Sequence, residues 1–160
     1  MHSTVIELDT SRRRVSDLTA AVERFCAGRG DGLLHVFAPH RASNRPHLLC
    51  GDFNANAPYQ RIDPAKCKPK LRAAWEAQGG QLPRRVVQRL LDAGYVDTLH
   101  AVDRVAGEAE GTFTTEHPGQ RVDYIFAHGI APDRIRRAWI VNPPPAKDAS
   151  DHFPVATDLT

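Results

Sequence analysis

The feature that most constrains this chain is a break in its apolar pattern. At residues 41–46 (RASNRP) the apolar periodicity stops in a polar connector closed by proline, and a fresh apolar run, HLLCGDF, starts at once. The break divides the chain into residues 1–40 and residues 41–160. Before it, TVIELD at 4–9 is β-branched and partly alternating, which predicts a strand. VSDLTAAVERFCAG then sets Leu18, Ala21, Val22 and Phe25 at i, i+3, i+4 and i+7, the spacing of one helical face. Ser16 or Asp17 can cap that helix and Gly28 can close it, and GLLHVFA reads as a buried strand. The first 40 residues therefore read as a β-α-β segment.

After the break, residues 55–69 read as irregular, with Pro58, Pro64 and Pro69 interrupting regular structure. LRAAWEAQ and PRRVVQRLLDAG read as helices, Pro83 suiting a first helical turn and Gly94 a helix end. Strands are expected at GTFTTE, RVDYIFAH and IRRAWIVN, then a proline-rich loop, PPPAKDAS, and a last strand, PVATDL. Trp75 and Trp139 fall where packing residues are expected, and Cys50 sits in an apolar run expected to be buried.

Composition narrows the classes. With 160 residues and 41% hydrophobic content, the chain suffices for one domain or two small ones, and its charges nearly cancel at +2, unlike a disordered chain. No apolar stretch approaches the roughly 20 residues of a membrane-spanning helix, and MHSTVIELDT lacks the order of a secretory signal, so a cytoplasmic location is expected. The three cysteines (Cys26, Cys50, Cys67) form no C-x-x-C pair, which points to reduced thiols. Of 21 basic residues only Lys66, Lys68, Lys70 and Lys147 are lysines; the arginines suit phosphate geometry, although such a bias also follows from coding composition. Neither phosphate-loop nor dinucleotide-binding glycine motifs occur, and no aromatic-basic alternation suggests single-strand stacking. Arg12, Arg13 and Arg14 read as a solvated turn.

Three short stretches carry chemistry. Gly51-Asp52-Phe53-Asn54 follows an apolar strand, where glycine permits a sharp turn and Asp52 and Asn54 project to one side; the local alternative is an Asx-turn that only satisfies the backbone. Asp123 interrupts the apolar run RVDYIF, and burying it requires a cation or donor. Asp151 and His152 stand side by side before the last strand; the local alternative is a turn capped by Ser150 or Asp151. Strand-end acids, an amide and an imidazole are the parts needed to hold a divalent ion and hydrolyse a phosphate ester.

From about Arg45 to Thr160 the chain resembles the C-terminal half of the endonuclease/exonuclease/phosphatase family, the deoxyribonuclease-I-like fold. RPHLLCGDFNA, GYVDTLHAV, GTFTTEHPGQRVDYIFAHG and ASDHFPVATDL occur in that family's order. The resemblance implies an α/β (α+β) fold: a partial sandwich, mainly one mixed β-sheet with flanking helices, preceded by the β-α-β segment. It implies that Asp52 orients or deprotonates the attacking water, that Asn54 contacts the scissile phosphate, and that Asp123 pairs with His152. Asp151 would help hold magnesium, with manganese as a substitute. Either Asp52 or His152 satisfies the need for a base near the nucleophile.

Residues 1–40 resemble instead the start of the YjbQ-like proteins, a small β-rich group linked in name to secondary thiamine-phosphate synthase activity, through HSTVIELDTSRRR, DLTAAVERF and DGLLHVFAPH. The other family's early asparagine, its metal-binding glutamate and its phosphate-gripping His or Tyr region have no match; Glu7, His35, His40 and His47 are the nearest stand-ins. The expected protein is a truncated magnesium-dependent phosphoesterase, a hydrolase of the nuclease or phosphatase type, acting on a phosphate ester such as nucleic acid. The alternative is a non-catalytic fusion or truncation product, a weak phosphate-binding or interaction module. The β-α-β segment can cover or extend the half-sandwich's sheet; otherwise an apolar face is left exposed, which favours poor stability or self-association, such as a homodimer.

Overall fold

The structure of the chain is a computed structural model, and it describes residues 46–82, 84–142 and 149–160 together with the single positions Arg24 and Ala27. Apart from those two positions, the expected β-α-β segment lies outside the described residues, and with it Glu7, the run Arg12 to Arg14, Cys26, His35 and His40. Pro83 and residues 143–148 of the proline-rich loop lie outside them too. The described stretches from residue 46 onward belong to one compact unit, 38–160.

Strand β1, His47–Asp52, pairs antiparallel with β3, Asp123–His128, in a register that sets His47 opposite His128 and Asp52 opposite Asp123. The short β2, Val96–Asp97, joins the other edge of β3, giving a three-stranded sheet in the order β1-β3-β2. A separate hairpin, β4 (Ile135–Ile140) and β5 (Val155–Leu159), forms a second antiparallel sheet. The class is the expected α/β mixture of sheet and flanking helices, but the strands pair antiparallel and are shared between two sheets instead of lying mainly in one mixed sheet. On β1 the side chains alternate, so Leu49 turns toward the core whereas Leu48 and Cys50 are exposed. Cys50 is thus on the outer face, not buried as its apolar surroundings suggest, because neighbours on a strand point to opposite sides.

Two helices come from the stretches that the spacing predicts. Helix α1, Pro69–Ala77, starts on its proline and buries no side chain fully; Trp75 is half-buried. Helix α2, Arg85–Asp92, buries Val87 and Leu90, three apart on one face, and ends at Gly94. Gly94 has φ +85°, a conformation that glycine adopts at little cost, and the next amide, Tyr95 N–H, bonds back to Leu90 O at 3.0 Å. Two further helices, α3 (Thr98–Val102) and α4 (Arg104–Ala109), occupy a stretch where sequence periodicity is too short to register. Their starts are capped: Asp97 accepts from Leu99 N–H at 3.2 Å, and Asp103 accepts from Ala106 N–H at 3.0 Å.

The core lies between β3 and α2. Tyr124 and Phe126 are fully buried and stack at 5.1 Å, and Phe53 stands edge-on to both. Each such ring contributes on the order of 2 kcal/mol by leaving water. Beside them runs a buried polar hub. Arg121, with no exposed surface, donates through Nη1 and Nη2 to the two Asp97 oxygens at 3.1 and 2.5 Å and through Nη2 to Gly107 O at 2.9 Å. Tyr59 adds a hydrogen bond to the same carboxylate at 2.6 Å, and burial with that neighbouring charge pushes its hydroxyl well above the ordinary tyrosine range, so it stays a donor. Burial alone would lower the Arg121 pKa, but Asp97 outweighs it and holds the guanidinium charged.

Trp139 on β4 is 37% exposed beneath the Arg137 guanidinium, 5.0 Å away, and is not the core residue its strand suggests. A two-stranded hairpin covers only one of its faces.

Candidate active site

The end of the β1/β3 pair carries the site. Because Asp52 and Asp123 are register partners, their carboxylates stand side by side on adjacent strands. Gly51 has φ +152° just before the strand ends, and a Cβ there would meet nothing within 4 Å, so glycine is demanded by backbone shape and not by space. Asn54 follows at φ +45°, a left-handed conformation that asparagine tolerates better than most residues. Its backbone N–H donates to Asp52 Oδ1 at 2.7 Å and its side-chain amide to Oδ2 at 3.0 Å. The Asx-turn that was the local alternative does form, and it clamps the amide and the exposed carboxylate together.

Asp123 finds the donor its burial requires in His152, whose Nδ1 lies 2.9 Å from Asp123 Oδ2. Partial burial pulls the His152 pKa down, but the hydrogen bond to Asp123 and its charge, with Asp52 and Asp151 adding theirs, hold it above the ordinary histidine value. Ser150 Oγ accepts from His152 N–H at 3.0 Å, so the local cap forms here as well.

What joins Asp123 and His152, 29 positions apart, is a segment whose sequence reads as a strand but folds otherwise. GTFTTE is not a strand: Phe113 forms single bridges to Gln120 and His152, and residues 114–117 close a turn through reciprocal Thr114–His117 backbone bonds of 3.0 Å. Thr112, fully buried, receives Val122 N–H and Asp123 N–H on its hydroxyl at 3.1 and 3.2 Å, while its carbonyl receives Phe153 N–H at 2.9 Å. Thr115 N–H reaches Asp151 O at 2.9 Å. One loop thus fastens the start of β3 to residues 151–153. The available signal is the density of threonines, which reads as β-propensity although the Thr112 and Thr114 hydroxyls serve as acceptors and that of Thr115 as a donor to Ser150 O.

One ligand atom each from Asp52, Asp123 and His152 lie within 4.8 Å of one another, a group that could hold a metal ion. Asp151, expected as a metal ligand, is exposed beside this trio and outside it, its charge acting on His152. His47 lies at the far end of β1, opposite His128, with Nε2 2.9 Å from the Tyr95 hydroxyl; it belongs to a separate aromatic contact and not to this trio. No helix among the described residues is long and apolar enough to cross a membrane.

Comparison with known proteins agrees with both resemblances. The UPF0047 protein Rv2556c of Mycobacterium tuberculosis is 52% identical over 40 residues, which cover 25% of this chain and 30% of that protein. The UPF0047 protein Mb2586c of Mycobacterium bovis is 53% identical over 36 residues, 22% of this chain and 28% of that protein. The chain thus spans less than a third of the length of these relatives. The model of the endonuclease/exonuclease/phosphatase family matches residues 4–152, reaching from His152 back across the break at 41–46 and well beyond the stretch that begins at Arg45. On that match, which covers most of its length, the chain belongs to the endonuclease/exonuclease/phosphatase family.

Proposed function

We propose that the chain is a divalent-metal-dependent phosphoesterase that cleaves a phosphate ester by in-line attack of water. The observation that carries this reading is the convergence of Asp52, Asp123 and His152, with Asn54 clamped to Asp52, at one strand end.

The donor chemistry fits a divalent ion. Carboxylate oxygens suit magnesium or manganese, either of which keeps several waters. Asp52 would lead its binding from within the trio it forms with Asp123 and His152, with Asp151 beside them. When bound, such an ion supplies charge neutralisation at the phosphoryl oxygens and a more acidic water.

The side chains divide the remaining work. Asn54, its amide fixed by the Asp52 hydrogen bond, donates to a phosphoryl oxygen. Asp123 fixes the imidazole through Nδ1, which leaves Nε2 to face the ester, and its charge favours the protonated ring. A protonated His152 is suited to stabilise the charge that develops on the phosphoryl oxygens, and on this reading Asp52, the exposed carboxylate, takes the water's proton.

The test compares the unmodified chain with His152→Ala on nucleic-acid and small phosphate-ester substrates in magnesium. A fall in kcat/KM of roughly 100-fold or more is expected; equal rates would refute the assignment.

A further inference from the structure

Lys68 immediately precedes α1, yet its side chain makes no capping bond to that helix. Its ammonium instead lies 5.1 Å from the centroid of the Phe113 ring. The same ring packs against the His152 imidazole, centroid to centroid 4.8 Å, and residues 113 and 152 are bridged through their backbones. Lys68 and His152 are therefore neighbours of one aromatic ring.

The close approach has a backbone cause. Asp63 N–H bonds to Gly119 O at 2.9 Å, and a Cβ on Gly119 would come within 2.4 Å of Cys67 Sγ and 2.7 Å of Cys67 N. Only glycine at 119 lets the segment that carries Lys68 dock on the loop that carries Phe113.

What the ammonium does there is not explained by the fold. Lys66, two residues earlier, pairs with Asp63 at 3.4 Å, whereas Lys68 pairs with no carboxylate among the described residues. A half-buried cation resting on a ring face keeps its hydrogen-bonding capacity for a ligand, since the ring attracts charge without accepting its N–H bonds in the way an oxygen does.

Resting on the phosphoesterase reading, we propose that Lys68 contacts the substrate at a second phosphate, beside the one acted on, and so selects for esters that carry one. Two sources share this chemistry: the next phosphate of a nucleic-acid strand, and a second phosphate on a small molecule.

The experiment uses the full chain and its Lys68→Ala and Lys68→Arg variants. Three probes are compared: bis-para-nitrophenyl phosphate with one phosphate, a short oligothymidylate, and an inositol bisphosphate. Lys68→Ala is expected to raise KM for a multiply charged probe about tenfold more than for the single-phosphate ester, as loss of one charged hydrogen bond implies. The kcat values should move together and Lys68→Arg should restore the discrimination. An effect confined to the oligothymidylate identifies a strand, and one confined to the bisphosphate identifies a small molecule. Equal effects on all three probes, or none, overturn the proposal. If the unmodified chain hydrolyses nothing, the phosphoesterase reading fails on its own. Equilibrium binding of the same two polyanions in a chelator then decides Lys68 separately: an about tenfold weakening in Lys68→Ala upholds the contact. Unchanged affinity, or no binding to the unmodified chain, overturns it.

Discussion

Replacing Asp97 by alanine removes the anion at the centre of the buried hub. Arg121 has 0% exposed surface and Asp97 3%, so water cannot take over the lost contacts. The guanidinium would lose both bonds to the carboxylate, at 3.1 and 2.5 Å, and keep its bond to Gly107 O; Tyr59 would lose its acceptor at 2.6 Å and α3 its cap. Stranding one partner of a buried ion pair costs about 3–5 kcal/mol. That is a large part of the roughly 5–15 kcal/mol that stabilises an ordinary domain. Urea unfolding followed by Trp fluorescence should show the midpoint falling with little change in slope, and Tm should drop by roughly 6–20 °C. If Asp97→Ala does not fold, the double replacement Asp97→Leu with Arg121→Met should fold and recover at least half the loss, because removing both charges leaves no ion stranded. A cost below about 1 kcal/mol for the single change, within the range of an exposed pair, would refute the reasoning.

Two other changes address the site. Asp123→Asn keeps the shape but removes the charge that holds the His152 pKa up, so the imidazole titration followed by NMR should move toward lower pH; an unmoved titration would show that Asp123 is not its cause. The sign for stability follows from the same pair. Because the folded pKa is raised, the stabilisation is complete below the ordinary histidine pKa and fades as pH rises through the folded value, and the variant should lack that dependence. Gly51→Ala should cost about 1 kcal/mol or more, measured by urea unfolding, through the φ of +152° alone, since no atom lies within 4 Å of the added methyl; a neutral result would mean that the turn relaxes freely.

The periodic features of this molecule are legible in its sequence. The apolar runs HLLCGD, DYIFAH, IRRAWI and VATDL became strands, and Val87 and Leu90 mark the buried face of α2. The site residues were legible as chemistry in three stretches, Asp123 in particular because a carboxylate in an apolar run needs a donor. Contacts between distant residues were not. Nothing in one dimension pairs Arg121 with Asp97, and the threonine-rich run at 112–115 carries strand propensity while serving as a polar fastening. Cys50 and Trp139 were misjudged for one reason: hydrophobicity says that a side chain can be buried, but the side of the sheet it faces is set by register and by what covers that side.

The most direct test of the account is a double-mutant cycle on kcat/KM for a phosphate ester in magnesium, using Asp123→Asn, His152→Ala and the two combined. If Asp123 acts only by holding the imidazole, the double variant should be no worse than His152→Ala by more than about threefold, as for residues that work as a unit. Losses that multiply, or single variants as active as the unmodified chain, would contradict it.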